Sequence, residues 1–186
     1  MRTSVSVDAD DHVRGEPDAP ITLIWYGDFG CVQCRQFALL LKRLALYFGQ
    51  QLRVSFRYYP DYVQHPLGME IALMAEAAAR QGQFWAFHDA LWQLMHDEAG
   101  KTTTLNDFHR LTAQLPLDRR RFATDLSHDD VFERVQLDCE SGIALGIRQT
   151  PTLYLNGKLY QGLLTYDRLL LAIDRQAQRS ERRQVA

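Results

Sequence analysis

The chain has 186 residues, 46% of them hydrophobic and 24% charged, which suits one ordinary globular unit with a sizeable core. Its formal charge of -2 offers no concentrated basic face for a phosphate backbone, so nucleic acid is excluded as an expected partner. Three cysteines are too few, and the wrong parity, for a disulfide framework of the small secreted kind. No apolar run approaches the roughly 18 residues of a membrane span, and the polar opening "MRTSVSVDADDHVRGEPDAP" has no signal-peptide core. The expected location is therefore cytoplasmic, with the periplasm as the alternative if a signal has been removed and a Met restored.

"APITLIWYGDF" carries Ile21, Leu23, Ile24, Trp25, Tyr26 and Phe29, a run too short for a helix and apolar on both faces, as a central strand is. Gly27 to Gly30 break it. From Cys34 to Phe48, the residues Phe37, Leu40, Leu41, Leu44 and Phe48 recur at threes and fours and Gly49 supplies a stop, which predicts an amphipathic helix. "QLRVSFRYYP" alternates Leu52, Val54, Phe56 and Tyr58 with Arg53, Ser55 and Arg57, a strand that Pro60 ends. Together these make a βαβ unit.

From His65 to about Gly146 the pattern is helical throughout, punctuated by Gly82, Gly100 and Pro116, with Ser127 and Asp130 spaced as a capping box. "TPTLYLNGKLYQG" then reads as a hairpin turning at Asn156-Gly157. A last helix, Tyr166 to about Gln176, places Leu169, Leu170 and Ile173 on one face, and the polar tail from Arg179 is expected to fray. The fold class is α/β: a single domain over 1–186 interrupted by a helical insertion at about 63–146.

The chemistry is concentrated in "YGDFGCVQCRQF", where Cys31 and Cys34 stand where a strand feeds a helix. There the first sulfur meets unpaired backbone N–H groups and the positive end of the helix dipole, which stabilise its thiolate. The second, one turn on, can displace a mixed disulfide formed by the first. The same pair is also half of many zinc sites, but no second Cys-x-x-Cys accompanies it. His88 and His96 are eight apart on a pattern whose apolar face holds Trp85 and Trp92. No metal is expected. Cys139, in line with Phe132, Val135 and Gly142, reads as a small core residue, with a regulatory thiol as the alternative. His88, His96 and His109 read as surface or capping residues. Thr150-Pro151 opens a β-rich run, so Pro151 stands either at a strand start or in a cis bond at a functional turn.

In this order the elements resemble the thioredoxin superfamily. "DHVRGEPDAPITLIWYGDFGCVQC", "QGQFWAFHDALW" and "GIRQTPTLYLNG" resemble, more narrowly, the DsbA-like thiol–disulfide oxidoreductases, over about residues 11 to 175. The resemblance implies a thioredoxin-like fold with an inserted helical domain, Cys31 as the nucleophile, Cys34 as the resolving cysteine and Pro151 as a cis-proline packed against them. Thr150 would set how that loop meets the active sulfur and a substrate. Phe29, Val32 and Gln33 complete the expected substrate-binding set, in a groove expected to be apolar around Cys31, Trp25 or Phe29, and the Thr150-Pro151 loop. Phe84, Trp85 and Trp92 either extend that surface or form the core of the insertion. No cofactor beyond the redox-active disulfide is implied. The partners would be protein or small-molecule thiols and disulfides, glutathione among them. In this family relatives also occur fused to sodium/proton antiporters.

Four positions depart from the family pattern. Trp25 stands where a buried Glu commonly relays protons to the resolving cysteine, and Gly30 where a Glu often stands. Val32 and Gln33 replace a Pro and an aromatic or His. Gln33 carries no charge, which implies a less acidic Cys31 and a weaker oxidant. Asp28 either replaces the missing carboxylate or serves the turn. Two further functions compete with the oxidoreductase: a non-catalytic interaction or redox-sensor module, and a glutathione-dependent isomerase or transferase. The latter generally has Ser at the place of Cys31.

Overall fold

A computed structural model of the chain describes residues 4–97 and 104–184. The apolar run after Pro20 forms β2 (Ile21–Gly27), with six of seven residues buried, because strands cover both of its edges and side chains both of its faces. On one edge β3 (Leu52–Tyr58) runs parallel to it, Ile21 opposite Leu52 and Gly27 opposite Tyr58. The connection is α1 (Val32–Phe48) and one 3₁₀ turn at Gly49–Gln51. On the other edge lies β4 (Thr152–Leu155), antiparallel, with Trp25 opposite Leu153. A strand that the sequence pattern does not show, β1 (His12–Arg14), pairs antiparallel with β3. With β5 (Lys158–Leu159) the order is β1-β3-β2-β4-β5. The β4–β5 hairpin turns at Asn156 and Gly157, both at positive φ (46° and 77°), as a two-residue turn of right-handed twist requires. Asn156 also accepts from the Thr22 amide at 2.7 Å, which ties the turn to β2.

Between β3 and β4 the described residues form five helices: α2 (Gly68–Ala79), α3 (Phe84–Asp97), α4 (Leu105–Thr112), α5 (Arg119–Asp125) and α6 (Asp129–Ala144). The chain closes with α7 (Tyr166–Gln184). One face of the sheet joins α1, α2, α3 and α7 in the larger core. On the opposite face Val5, Ile24, Tyr26, Ile147 and Tyr154 form a smaller cluster, and Tyr26 shares a 2.6 Å hydrogen bond with Ser141 of α6. Buried Arg57 locks the N-terminal segment there. Its guanidinium holds Asp11 at 2.7 Å, Asp8 at 3.0 Å and the Tyr26 hydroxyl at 3.0 Å, a paired arrangement that a charge out of water needs.

Several boundaries differ from the pattern-based expectation. Helix α1 starts at Val32, two residues early, because Cys31 itself is the N-cap: its sulfur accepts from the Cys34 amide. The Ser127–Asp130 box does not form. Ser127 lies in the turn that follows α5, its amide donating to the Thr124 carbonyl, and His128 is the N-cap of α6. A box-like contact occurs instead at α4, where the Thr104 amide donates to the Asp107 carboxylate at 2.8 Å. Helix α7 continues past Gln176, since the polar tail is rich in Gln, Arg and Glu, which propagate a helix well, and holds neither Gly nor Pro. Gly82 stands at φ +71° in the turn between α2 and α3, whereas the Gly100 break lies outside the described residues.

Candidate active site

Cys31 and Cys34 are free thiols at the head of α1, and each faces a different surrounding. Cys31 lies at the wall of a cavity of about 440 Å³, with Gln33, His65, Arg148, Thr150 and Pro151 among the other lining residues. As a thiol its single S–H has two acceptors within reach, Gln33 Oε1 at 3.3 Å and the Thr150 carbonyl at 3.4 Å. As a thiolate it accepts from the Cys34 thiol, the Thr150 side chain and the Cys34 amide. The Cys34 contact is the largest cause of a Cys31 pKa lowered to about 6, against the opposing effect of burial. Gln33 carries no charge, yet Cys31 is acidic: neighbouring hydrogen-bond donors supply what a cationic side chain would.

Cys34 is fully buried, and burial first, then the neighbouring Cys31, pushes its pKa well above the usual thiol value. Behind it stands an aromatic wall. Trp25, at 0% exposure, packs edge-on to Phe37 and Phe56 with ring centroids 4.9 Å apart and stacks with Trp92 at 6.0 Å. Phe29, at 1%, stacks on Phe56 at 5.1 Å. The wall is so apolar that the Trp25 indole N–H is without a hydrogen-bond partner. No carboxylate stands at this position to take a proton.

The expectation of an apolar groove is thus overturned. Phe29 lies inside the core, out of reach of a substrate, and so does Trp25; Val32 is half exposed but outside the cavity lining. The cavity is polar because its walls come from the loops around residues 59–65 and 148–151, while nearby aromatic groups are consumed by packing against α3. Phe84 and Trp92 belong to that packing, and Trp85 donates from its indole to the Val13 carbonyl at 2.9 Å. His88 is likewise a core residue and not a surface one. It accepts at Nε2 from Trp92 at 3.0 Å, so Nδ1 carries the proton toward Asp89 at 2.9 Å, and burial holds its pKa below the usual histidine value. His109 is exposed on α4. Cys139 is half-buried with its sulfur 3.9 Å from the Tyr58 carbonyl, and burial and then Asp138 push its pKa up to about 11, so it stays a thiol.

Thr150-Pro151 is a cis bond immediately before β4, and it brings the Thr150 carbonyl to Cys31. Asp28 performs the turn role and another besides. One oxygen accepts from the Gly30 amide at 2.8 Å; the other takes the Asp61 amide at 2.9 Å and His65 Nδ1 at 2.7 Å. His65, 37 positions away from Asp28, lines the cavity beside Cys31, a placement no local sequence signal announces. The pair explains two glycines. A Cβ at Gly30 would collide with the Cβ of His65, and one at Gly68 would sit 2.8 Å from Asp28 Oδ1. A Glu at position 30 is incompatible with this pair. Among the described residues no group of three or more His, Cys, Asp or Glu is gathered as a metal site would be, and no helix is long and apolar enough to cross a membrane.

A thioredoxin family model matches residues 8–175. The chain is 36% identical over 177 residues to a Na+/H+ antiporter NhaA of Herminiimonas arsenicoxydans, covering 94% of this chain and 27% of that protein. It is 35% identical over 154 residues to a Na+/H+ antiporter NhaA of Mycolicibacterium gilvum, covering 82% and 24%. The chain therefore spans about a quarter of the length of these relatives. Among solved structures it superposes on oxidised BdbD from Bacillus subtilis with a TM-score of 0.81 at 21% identity, covering 95% of this chain and 97% of that one. It superposes on alpha-DsbA1 of Wolbachia pipientis with a TM-score of 0.81 at 19% identity, covering 95% and 96%. With its acidic Cys31 on a helix N-terminus, its cis Thr150-Pro151 bond and a match over nearly the whole length, the chain belongs to the thioredoxin family and has the DsbA-like fold with a helical insertion.

Proposed function

We propose that the chain is a thiol–disulfide oxidoreductase in which Cys31 is the nucleophile and Cys34 the resolving thiol. The observation that carries this reading is the opposite displacement of the two acidities: Cys31 is held near 6 while Cys34 is pushed well above 9. At neutral pH, Cys31 is thiolate and attacks one sulfur of a disulfide, forming a mixed disulfide and releasing the other sulfur as a thiolate that takes up a proton. Cys34 then loses its proton and attacks the Cys31 sulfur, forming the Cys31–Cys34 disulfide and expelling the second substrate thiolate. Two electrons leave the dithiol and reduce one disulfide to two thiols. Where a glutathione pool keeps dithiols reduced, mass action runs the cycle as a reductase.

The test is the dithiol–disulfide equilibrium in glutathione buffers, followed by tryptophan fluorescence, since Trp25 shares a core cluster with Cys34. A reversible two-electron transition is expected. Cys31→Ser should abolish exchange, and Cys34→Ser should accumulate the mixed disulfide. If no Cys31–Cys34 disulfide forms at any poise, the reading is wrong and a binding module replaces it. The match to one quarter of two Na+/H+ antiporters favours a second, compatible reading, in which the exchange acts on or controls a cation–proton antiporter. Mass spectrometry of partners trapped on Cys34→Ser in cells tests it: recovering an antiporter peptide disulfide-linked to Cys31 is the expected result, and its consistent absence among trapped partners counts against it.

A further inference from the structure

The cavity in front of Cys31 has the size of a small-molecule site and is lined mostly by polar side chains. Its charges are unequally committed. Asp61 is held by the amides of Val63 at 3.1 Å and Gln64 at 3.0 Å and by the Gln64 side chain at 2.6 Å. His65 is bound to Asp28 at 2.7 Å. Arg148, exposed on the opposite loop two residues before Thr150, is the one cation lining the cavity whose guanidinium has no hydrogen bond or ion pair among the described residues. A planar guanidinium with all its donors free, lining the same cavity as a nucleophilic sulfur, is suited to a carboxylate.

Resting on the oxidoreductase reading, we propose that this cavity binds a low-molecular-weight disulfide bearing carboxylates, with Arg148 holding a carboxylate while Cys31 attacks the adjacent sulfur. Gln33, Gln64 and Gln149 offer neutral donors and acceptors for amide groups of such a molecule. With oxidised glutathione, the Cys31 thiolate attacks one sulfur and the S–S bond breaks. One glutathione thiolate leaves and is protonated by water. Cys34, after losing its proton to water, displaces the second. The protein dithiol is oxidised and the disulfide is reduced to two thiols, with no further electron carrier.

Reduced protein is mixed with each of three disulfides, and the second-order rate constant of oxidation is read from tryptophan fluorescence. The probes are oxidised glutathione (carboxylates), bis(2-hydroxyethyl) disulfide (uncharged) and cystamine (cationic). The wild type should favour oxidised glutathione over the uncharged disulfide, and Arg148→Gln should reduce that preference about tenfold. Arg148→Lys should retain most of it, and Arg148→Glu should turn the preference toward cystamine. Equal proportional changes on all three probes, or none, overturn the proposal. A wild type that reacts with none of the disulfides overturns the oxidoreductase reading itself, which separates the two failures.

Discussion

The polar cavity in front of Cys31 and the aromatic wall behind Cys34 flank two cysteines at either end of one Cys-x-x-Cys, yet they drive two identical side chains in opposite directions. On the cavity side, the sulfur finds the Cys34 thiol, the Thr150 side chain and a helix-initiating amide, all of which favour the thiolate. On the wall side Trp25, Phe29, Phe37, Phe56 and Trp92 exclude water and offer no counter-charge, so the proton stays on Cys34. Burial alone therefore does not set a thiol's acidity: at Cys31 the donors reaching the sulfur outweigh it, and at Cys34 burial prevails. Asp28 and His65 meet on the cavity side and not in the wall: His65 lines the cavity and bonds to buried Asp28 at 2.7 Å.

The largest effect should come from polluting the wall. Trp25→Glu removes the rings' central partner and places a carboxylate among aromatic groups, and it should lower unfolding stability by more than about 3 kcal/mol in urea titration. A loss within about 1 kcal/mol would mean that the wall is open to water and that the contrast is not one of solvent exclusion.

A smaller effect should follow from pH. With a Cys31 pKa near 6, the rate of attack on a neutral disulfide should rise about tenfold from pH 5 to 7 and then level off, tracking the ultraviolet absorbance of the thiolate. The linked stability has a definite sign. A depressed folded pKa makes the thiolate's contribution complete above the unfolded value of 9, with loss as pH falls through about 6. The stability gap between reduced wild type and Cys31→Ser should thus widen from pH 6 to pH 9. A rate that rises only above pH 8 would break the comparison.

The smallest effect sharpens it. Gln33→His adds a cation on the cavity side and should lower the Cys31 pKa by about one unit, leaving Cys34 protonated through neutral pH. Titration of both thiols would check this, and an equal fall at Cys34 would show that the two sides share one field.

Much of the architecture follows from patterns that a sequence carries locally. The period-two run of β3, the threes and fours of α1, Asn156-Gly157 and the cysteine pair at a strand–helix junction each specify their structure over a few residues. Edge strand β1 escaped because three residues carry no period, and the Ser127 box failed because the preceding helix claimed its amide. The identity of Cys31 and Cys34 as the chemical pair, and the loop bearing Thr150 and Pro151, were legible for the same local reason. What lines the cavity was not. Whether Phe29 faces a substrate or the core, whether His88 is wet or dry, and that His65 meets Asp28 while Arg148 has no ion-pair partner among the described residues depend on which distant segments arrive beside them. Backbone preference and hydrophobic period act over one or two turns, so the sequence by itself determined the elements and the reactive sulfurs. The polarity in front of those sulfurs was decided only when loops more than thirty residues apart were packed around them.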